Sequence, residues 1–152
     1  MIVRPCLPSD AEQIEALFHE FVDDLRQIGD QTVYRFSAAQ YLEDGFGSDP
    51  AFRGLVAEDG SRLIGYALFC RTYEGDYVRS FYLIDLYVRR VSRGHGIGHQ
   101  LIDAVRTLGR DEGIARLSWD VHKNNAGAIR FYERLGAHYS SDTHVMWMDV
   151  SV

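Results

Sequence analysis

The chain has 152 residues, 46% of them hydrophobic and 25% charged, with a formal net charge of −6 and a pI near 5.4. That predicts one globular domain over residues 1–152 with a real core, and the acidic balance disfavours nucleic acid as the main partner while suiting a cationic one. Cys6 and Cys70 form no Cys-x-x-Cys pair or disulfide framework, no signal-peptide core opens the chain and no apolar run is membrane-length, so a cytoplasmic protein without a membrane partner is expected.

In chain order, Ile2 to Arg4 predicts a short strand closed by Pro5 and Pro8, after which Ser9 is expected to cap a helix with Glu12 three residues on. Ile14, Leu17, Phe18, Phe21, Val22 and Leu25 recur at helical spacing and leave Glu15, Glu20, Asp23 and Asp24 as a solvated face. Gly29 to Phe36 carries little pattern. Ser37 opens a second, short helix through Tyr41 and Leu42 that stops at Gly45. Phe52 to Glu58 and Arg62 to Tyr73 predict a hairpin about Asp59-Gly60, and Phe81 to Val88 continues the sheet.

Next comes Arg93-Gly94-His95-Gly96-Ile97-Gly98, followed by a helical stripe of Leu101, Ile102, Val105 and Leu108. Ala115 to Val121 predicts another strand. Asn124 or Asn125 then opens a helix through Ala128, Ile129, Phe131, Tyr132 and Leu135 that Gly136 ends, and Val145 to Val150 predicts a final strand. This order belongs to a mixed α+β sheet and not to a doubly wound one.

The glycine stretch sits between a strand and a helix. Glycines at every second position let the backbone approach a ligand closely, so that successive N–H groups and the helix N-terminus converge on an anion. A P-loop would end in Gly-Lys-Ser/Thr, whereas Gly98 is followed by His99 and Gln100; a dinucleotide fingerprint would place its third glycine one residue later. A plain tight turn also fits the glycines taken alone.

Two motifs in this order resemble the GNAT superfamily of acetyl-CoA-dependent N-acetyltransferases. The first is Arg/Gln-x-x-Gly-x-Gly/Ala after a central strand, matched by Arg93, Gly96 and Gly98; the second is an Asn followed by a helix bearing Phe-Tyr and then Gly, matched by Asn125, Phe131, Tyr132 and Gly136. The resemblance covers essentially the whole chain. Tyr41 to Gly47, Leu55 to Glu58 and Tyr82 to Asp85 are further similar to the spermidine/spermine and thialysine enzymes. In the polyamine enzymes a substrate-reading glutamate falls at Ile84 and an acid of the first helix falls near Leu25; both positions are apolar here.

The resemblance implies a GNAT fold, with a mostly antiparallel twisted sheet of six to seven strands and about four helices. It implies acetyl-CoA as cosubstrate, its pyrophosphate on the amides from Gly94 to His99 with His95 and Ile97 between the glycines and Arg93 near the charge. It also implies a thioester carbonyl at Leu86, Tyr87 and Val88, cofactor contacts from Asn125 and Ala128, and a homodimer.

Acetyl transfer needs an unprotonated amine and a proton for the leaving thiolate. Tyr132, at the family's general-acid position, has a phenol of about the right basicity, a pKa near 10. Asp85 is the leading base, although strand alternation also allows it to point to the other sheet face in a structural role. Glu58, Asp120 and His122 stand in reserve. His95 and His99 share a helical face, but no third ligand follows at a usable spacing, so no metal is expected. Tyr34, Phe36, Tyr73, Tyr77 and Trp147 are candidates for an acceptor pocket or for packing. Neither cysteine sits in a nucleophile context. The expected activity is direct acetyl transfer to a primary amine of a small molecule (a diamine, a polyamine or an amino-acid-like acceptor); the alternatives are a protein or peptide N-acetyltransferase and a non-catalytic CoA-binding module.

Overall fold

A computed structural model describes residues 1–150, in two compact units that divide between Asp120 and Val121. The first unit holds a five-stranded sheet in the order β1-β2-β3-β4-β5, formed by β1 (Ile2–Pro5), β2 (Arg53–Asp59), β3 (Arg62–Tyr73), β4 (Arg79–Val88) and β5 (Arg116–Ser118). The first four strands pair antiparallel and β5 runs parallel to β4. The sheet is therefore mixed, with five strands among the described residues where six to seven are expected.

Two corrections account for the difference. The expected strand over 115–121 is only Arg116–Ser118, and Val145 to Val150 forms no strand. The side chains of 145–150 favour extended backbone, but a strand also needs a hydrogen-bonded neighbour, and this segment has none among the described residues.

The turn into the first helix is set by Asp10 and not by a Ser9 cap. The buried Asp10 carboxylate accepts the Leu7 N–H at 2.8 Å and both terminal nitrogens of Arg4, at 2.8 and 2.9 Å, while Arg4 Nε donates to Glu58 at 2.7 Å. Helix α1 (Ala11–Gln27) then lays Ile14, Leu17, Phe18 and Leu25 on the sheet, as their spacing predicts. Each such burial contributes roughly 1.5–3 kcal/mol.

Helix α2 (Ala38–Phe46) is capped by Ser37, whose hydroxyl accepts the Gln40 N–H at 3.1 Å. Its Tyr41 is wholly buried and donates to the Leu7 carbonyl at 3.0 Å. Helix α3 (Ile97–Asp111) buries Ile97, Leu101, Ile102 and Val105. A Cβ at Gly109 of α3 would lie 3.5 Å from Phe81 of β4, an ordinary packing distance that sets the Phe81 ring against α3. The sheet thus has Phe81 turned toward α3, and Tyr66, Leu68 and Tyr87 in the core shared with Ile14, Leu17 and Tyr41.

The second unit contains α4 (Ala126–Arg134). Asn125 caps it, accepting the Ala128 N–H at 3.1 Å, and Gly136 at φ +85° ends it. No helix among the described residues is long and apolar enough to cross a membrane.

Candidate active site

In the first unit the site strand is distorted where the chemistry is expected. Across the β3–β4 ladder Leu68 faces Asp85 and Phe69 faces Leu83, which leaves Ile84 as an extra, unpaired residue. Such a bulge re-aims the side chains on either side of it. Leu83 goes with Phe69, whose ring packs 4.9 Å from that of Phe81, on the α3 side. Asp85 goes with Leu68 and Tyr66, on the α1 side. The bulge thus reverses the faces between Leu83 and Asp85, which simple alternation would have put on one face.

Asp85 is half-buried, and burial pushes its carboxyl up to about 6, opposed by the hydroxyl of Tyr66. The Tyr66 ring is fully buried, and its hydroxyl is beside the Asp85 carboxylate. Asp85 also lies within electrostatic reach of Tyr34, whose phenol is pushed up to about 12 by burial and by Asp30. The reserve bases are otherwise engaged: Glu58 with Arg4, and Asp120 with the Tyr82 hydroxyl at 2.8 Å.

Residues 28–37, patternless in sequence, are organised by Asp30. Its buried carboxylate accepts the Thr32 hydroxyl at 2.7 Å and the Tyr34 hydroxyl at 2.8 Å. Arg26 donates to the Asp30 carbonyl at 2.7 Å and sits 5.8 Å from the Tyr34 ring centre. The Tyr34 ring in turn stands edge-on to Phe18, 5.6 Å away. An Asp followed two residues on by Thr is the sequence signal for such a self-bonded turn. Of the other aromatics, Tyr73 and Tyr77 form an exposed pair with ring centres 6.1 Å apart, and Trp147 is exposed.

The parallel ladder between β4 and β5 ends at Tyr82–Ser118, so Leu83 to Val88 have no strand partner on that side among the described residues. Arg89 N–H donates to the Ile64 carbonyl of β3 at 2.8 Å; by alternation Tyr87 N–H also points at β3, and those of Leu86 and Val88 point away from it. The Val88 carbonyl, on the same outer side, accepts Arg93 Nε at 2.9 Å.

The glycine loop follows. Gly94 and Gly96 hold φ of +83° and +75°, and a Cβ at either meets nothing within 4 Å. The glycines are thus required by backbone conformation and not by crowding. The N–H groups of Gly94, His95, Gly96, Ile97 and Gly98 have no acceptor among the described residues, and α3 begins at Ile97. Consecutive bare amides at a helix N-terminus fit an anion such as a pyrophosphate.

Arg93 itself is not a free cation. Its guanidinium donates to Asp24 of α1 at 2.6 Å, and Arg90 bonds the same carboxylate. Arg89 pairs with Glu20 at 2.6 Å. Two of the four acids expected on a solvated face of α1 therefore hold the turn that leads into the loop.

In the second unit Asn125 caps α4 through Ala128, and Tyr132 lies one turn further along the helix, half-buried with its ring 5.1 Å from that of Phe131. His122 Nδ1 there accepts the Asn124 N–H at 3.1 Å. Both cysteines are free; burial raises the Cys70 thiol and pushes Cys6 up to about 12, so neither offers a ready thiolate.

The model of the acetyltransferase (GNAT) family matches residues 14–137, and the chain belongs to that family. It is an acetyl-CoA-dependent N-acetyltransferase. The pig thialysine N-epsilon-acetyltransferase is 31% identical over 145 residues, covering 90% of this chain and 84% of that one. The human spermidine/spermine N(1)-acetyltransferase-like protein 1 is 30% identical over 108 residues, 66% of this chain but 16% of that one. Among solved structures, the tetramutant of the BH1408 protein from Bacillus halodurans has a TM-score of 0.77 at 22% identity, covering 97% of this chain and all of that one.

Proposed function

We propose that the chain moves acetyl from acetyl-CoA directly to a primary side-chain amine of an amino-acid-like small molecule, with Asp85 as base and Tyr132 as acid. The observation that carries this reading is the Asp85 carboxylate, turned by the bulge to the α1 side and raised by burial to about 6. An alkylammonium with a pKa near 10.4 is neutral only about once in a few thousand molecules at pH 7, so a base near neutrality lowers the barrier substantially.

In this reading the nitrogen–carbon bond forms as the carbon–sulfur bond breaks. Asp85 takes the first ammonium proton before attack, Tyr132 gives its phenolic proton to the leaving thiolate, and the second nitrogen proton, lost as the amide forms, restores the Tyr132 phenol, so one proton is released from Asp85 per turnover. The outward N–H groups of Leu86 and Val88 polarise the carbonyl beside Tyr87, and the amides from Gly94 to His99, including His95, Gly96, Ile97 and Gly98, hold the pyrophosphate. Arg93 shapes that loop, and Asn125 and Ala128 border the cofactor at the start of α4. The two units act as one catalytic domain over residues 1–152, a reading supported by a family match that runs through both. We infer a homodimer, by likeness to the family, and a cytoplasmic location, in keeping with two free thiols.

Three features favour a side-chain amine of an amino acid over a polyamine. Leu25 is buried, Ile84 is apolar, and Asp24 is taken up by two arginines, so neither position where polyamine enzymes read a second cation carries an acid and one of the acids beside them is already paired. The thialysine relatives act on an amine of that kind by their names. Thiol release from acetyl-CoA across thialysine, lysine, ornithine, diamines, spermidine and aminoglycosides tests the reading. Turnover should be highest with the amino acids; a preference for spermidine would overturn the acceptor, and CoA binding without thiol release on any amine would overturn the activity.

A further inference from the structure

Asp24 is the α1 acid that fastens the loop end of the cofactor-side turn, through Arg90 and Arg93, while Glu20 holds its strand end through Arg89. Asp24 accepts Arg93 at 2.6 Å, bonds Arg90 and takes the Tyr87 hydroxyl at 3.4 Å. Arg93 is further fixed by its Nε bond to the Val88 carbonyl and by lying 5.1 Å over the Tyr87 ring. One half-buried carboxylate thus joins the helix, the last turn of the site strand and the signature arginine. Burial works against its charge, but the guanidiniums of Arg93 and Arg90 outweigh that and hold the carboxyl below its usual range.

The five bare amides of the loop have one local side-chain tie, His95 Nδ1 at 3.3 Å from the Ser92 carbonyl, and it reaches no other element; Gly94 and Gly96 are left-handed, a conformation that glycine leaves freely. A backbone cradle binds tightly only if its amides converge before the anion arrives. The sole side-chain restraint from Arg93 toward α1 runs through Asp24 among the described residues.

We propose that Asp24 is a positioning residue for acetyl-CoA: by holding Arg90 and Arg93 it pre-sets the turn whose amides receive the pyrophosphate. It contacts neither substrate. The proposal rests on the cradle assignment above, and it separates two roles for Arg93. If the arginine mainly shapes the loop, releasing it weakens the cofactor; if Asp24 merely restrains a phosphate ligand, releasing it tightens the cofactor.

The test compares acetyl-CoA with S-acetylpantetheine, which carries the same thioester but no pyrophosphate. Asp24→Asn should raise KM for acetyl-CoA about tenfold while leaving KM for S-acetylpantetheine and for the amine within about twofold, and Asp24→Glu should recover most of the loss. An unchanged or lower KM for acetyl-CoA, or an equal loss on both thioesters, would overturn the proposal. Should Asp24→Asn fold poorly, Arg90→Gln at an exposed position removes half of the bridge and should give the same selective rise, about threefold; no selective rise would count against the proposal equally. Gly96→Val, which forces a β-branched residue to φ +75°, should lose acetyl-CoA and keep S-acetylpantetheine. Normal acetyl-CoA affinity in that variant would remove the cradle itself, and the proposal with it.

Discussion

Asp85 stands opposite Leu68 on the β3–β4 ladder, and the residue before it, Ile84, stands opposite nothing. One extra residue is therefore what turns the Asp85 carboxylate toward α1 and the neighbouring Leu83 the other way. The same turn places the carboxylate where burial raises its pKa to about 6.

That shift has a consequence for stability. The folded-state value lies above the unfolded one, near 3.9, so the folded protein binds this proton more tightly. The resulting destabilisation is absent below about pH 4 and complete above about pH 6. Asp85→Asn should consequently raise Tm by a few degrees at pH 8, at about 2–4 °C for each kcal/mol, and match the unmodified protein at pH 4. Thermal unfolding at the two pH values checks this, and a lowered Tm at pH 8 would contradict it.

Tyr66 brings a buried hydroxyl close to Asp85 and lowers the pKa that burial raises. Tyr66→Phe should move the acidic limb of kcat/KM for the amine to higher pH. A limb that moves to lower pH would exclude the Tyr66–Asp85 interaction.

Tyr132→Phe tests the acid. A general acid contributes typically about 100-fold or more, so kcat should fall by at least that factor while CoA affinity stays within about twofold. Steady-state turnover together with calorimetric CoA binding distinguishes this from a packing role, in which both would change little.

Ile84 is 42% exposed, so a longer polar side chain is accommodated there. Ile84→Glu should increase kcat/KM for spermidine relative to a single-amine acceptor by about 10-fold, the scale of one charge-assisted hydrogen bond. Unchanged selectivity would show that the bulge residue does not meet the acceptor.

Much of this was legible in the sequence. The apolar spacing of Ile14, Leu17, Phe18 and Leu25 gave α1, the Asp59-Gly60 turn gave the hairpin, and the alternating glycines gave the loop between β4 and α3. Periodicity reads burial, however, and not partners at long range. Glu20 and Asp24 fall on the polar side of α1 and so look solvated, yet Arg89, Arg90 and Arg93, more than sixty residues away, bind them. The bulge at Ile84 has no local signature because it arises from the match between two strands. Asp10 displaced Ser9 at the start of α1 for the same reason: its partner Arg4 lies on a different element. Strand propensity alone misjudged Val145 to Val150, where no partner strand completes a ladder among the described residues.

The pH dependence of kcat/KM for the amine, measured from pH 5 to 10 on the unmodified enzyme and on Asp85→Asn, tests the central role of Asp85 most directly. With Asp85 accepting the proton, the ammonium form is used, and kcat/KM should rise to a plateau above about pH 6. In Asp85→Asn only the free amine reacts, so the rate should be at least about 100-fold lower near pH 7 and climb about tenfold per pH unit toward the pKa of the amine, about 10.4. An unmodified enzyme that climbs in the same way, or a variant that keeps both the plateau and the rate, would contradict the assignment.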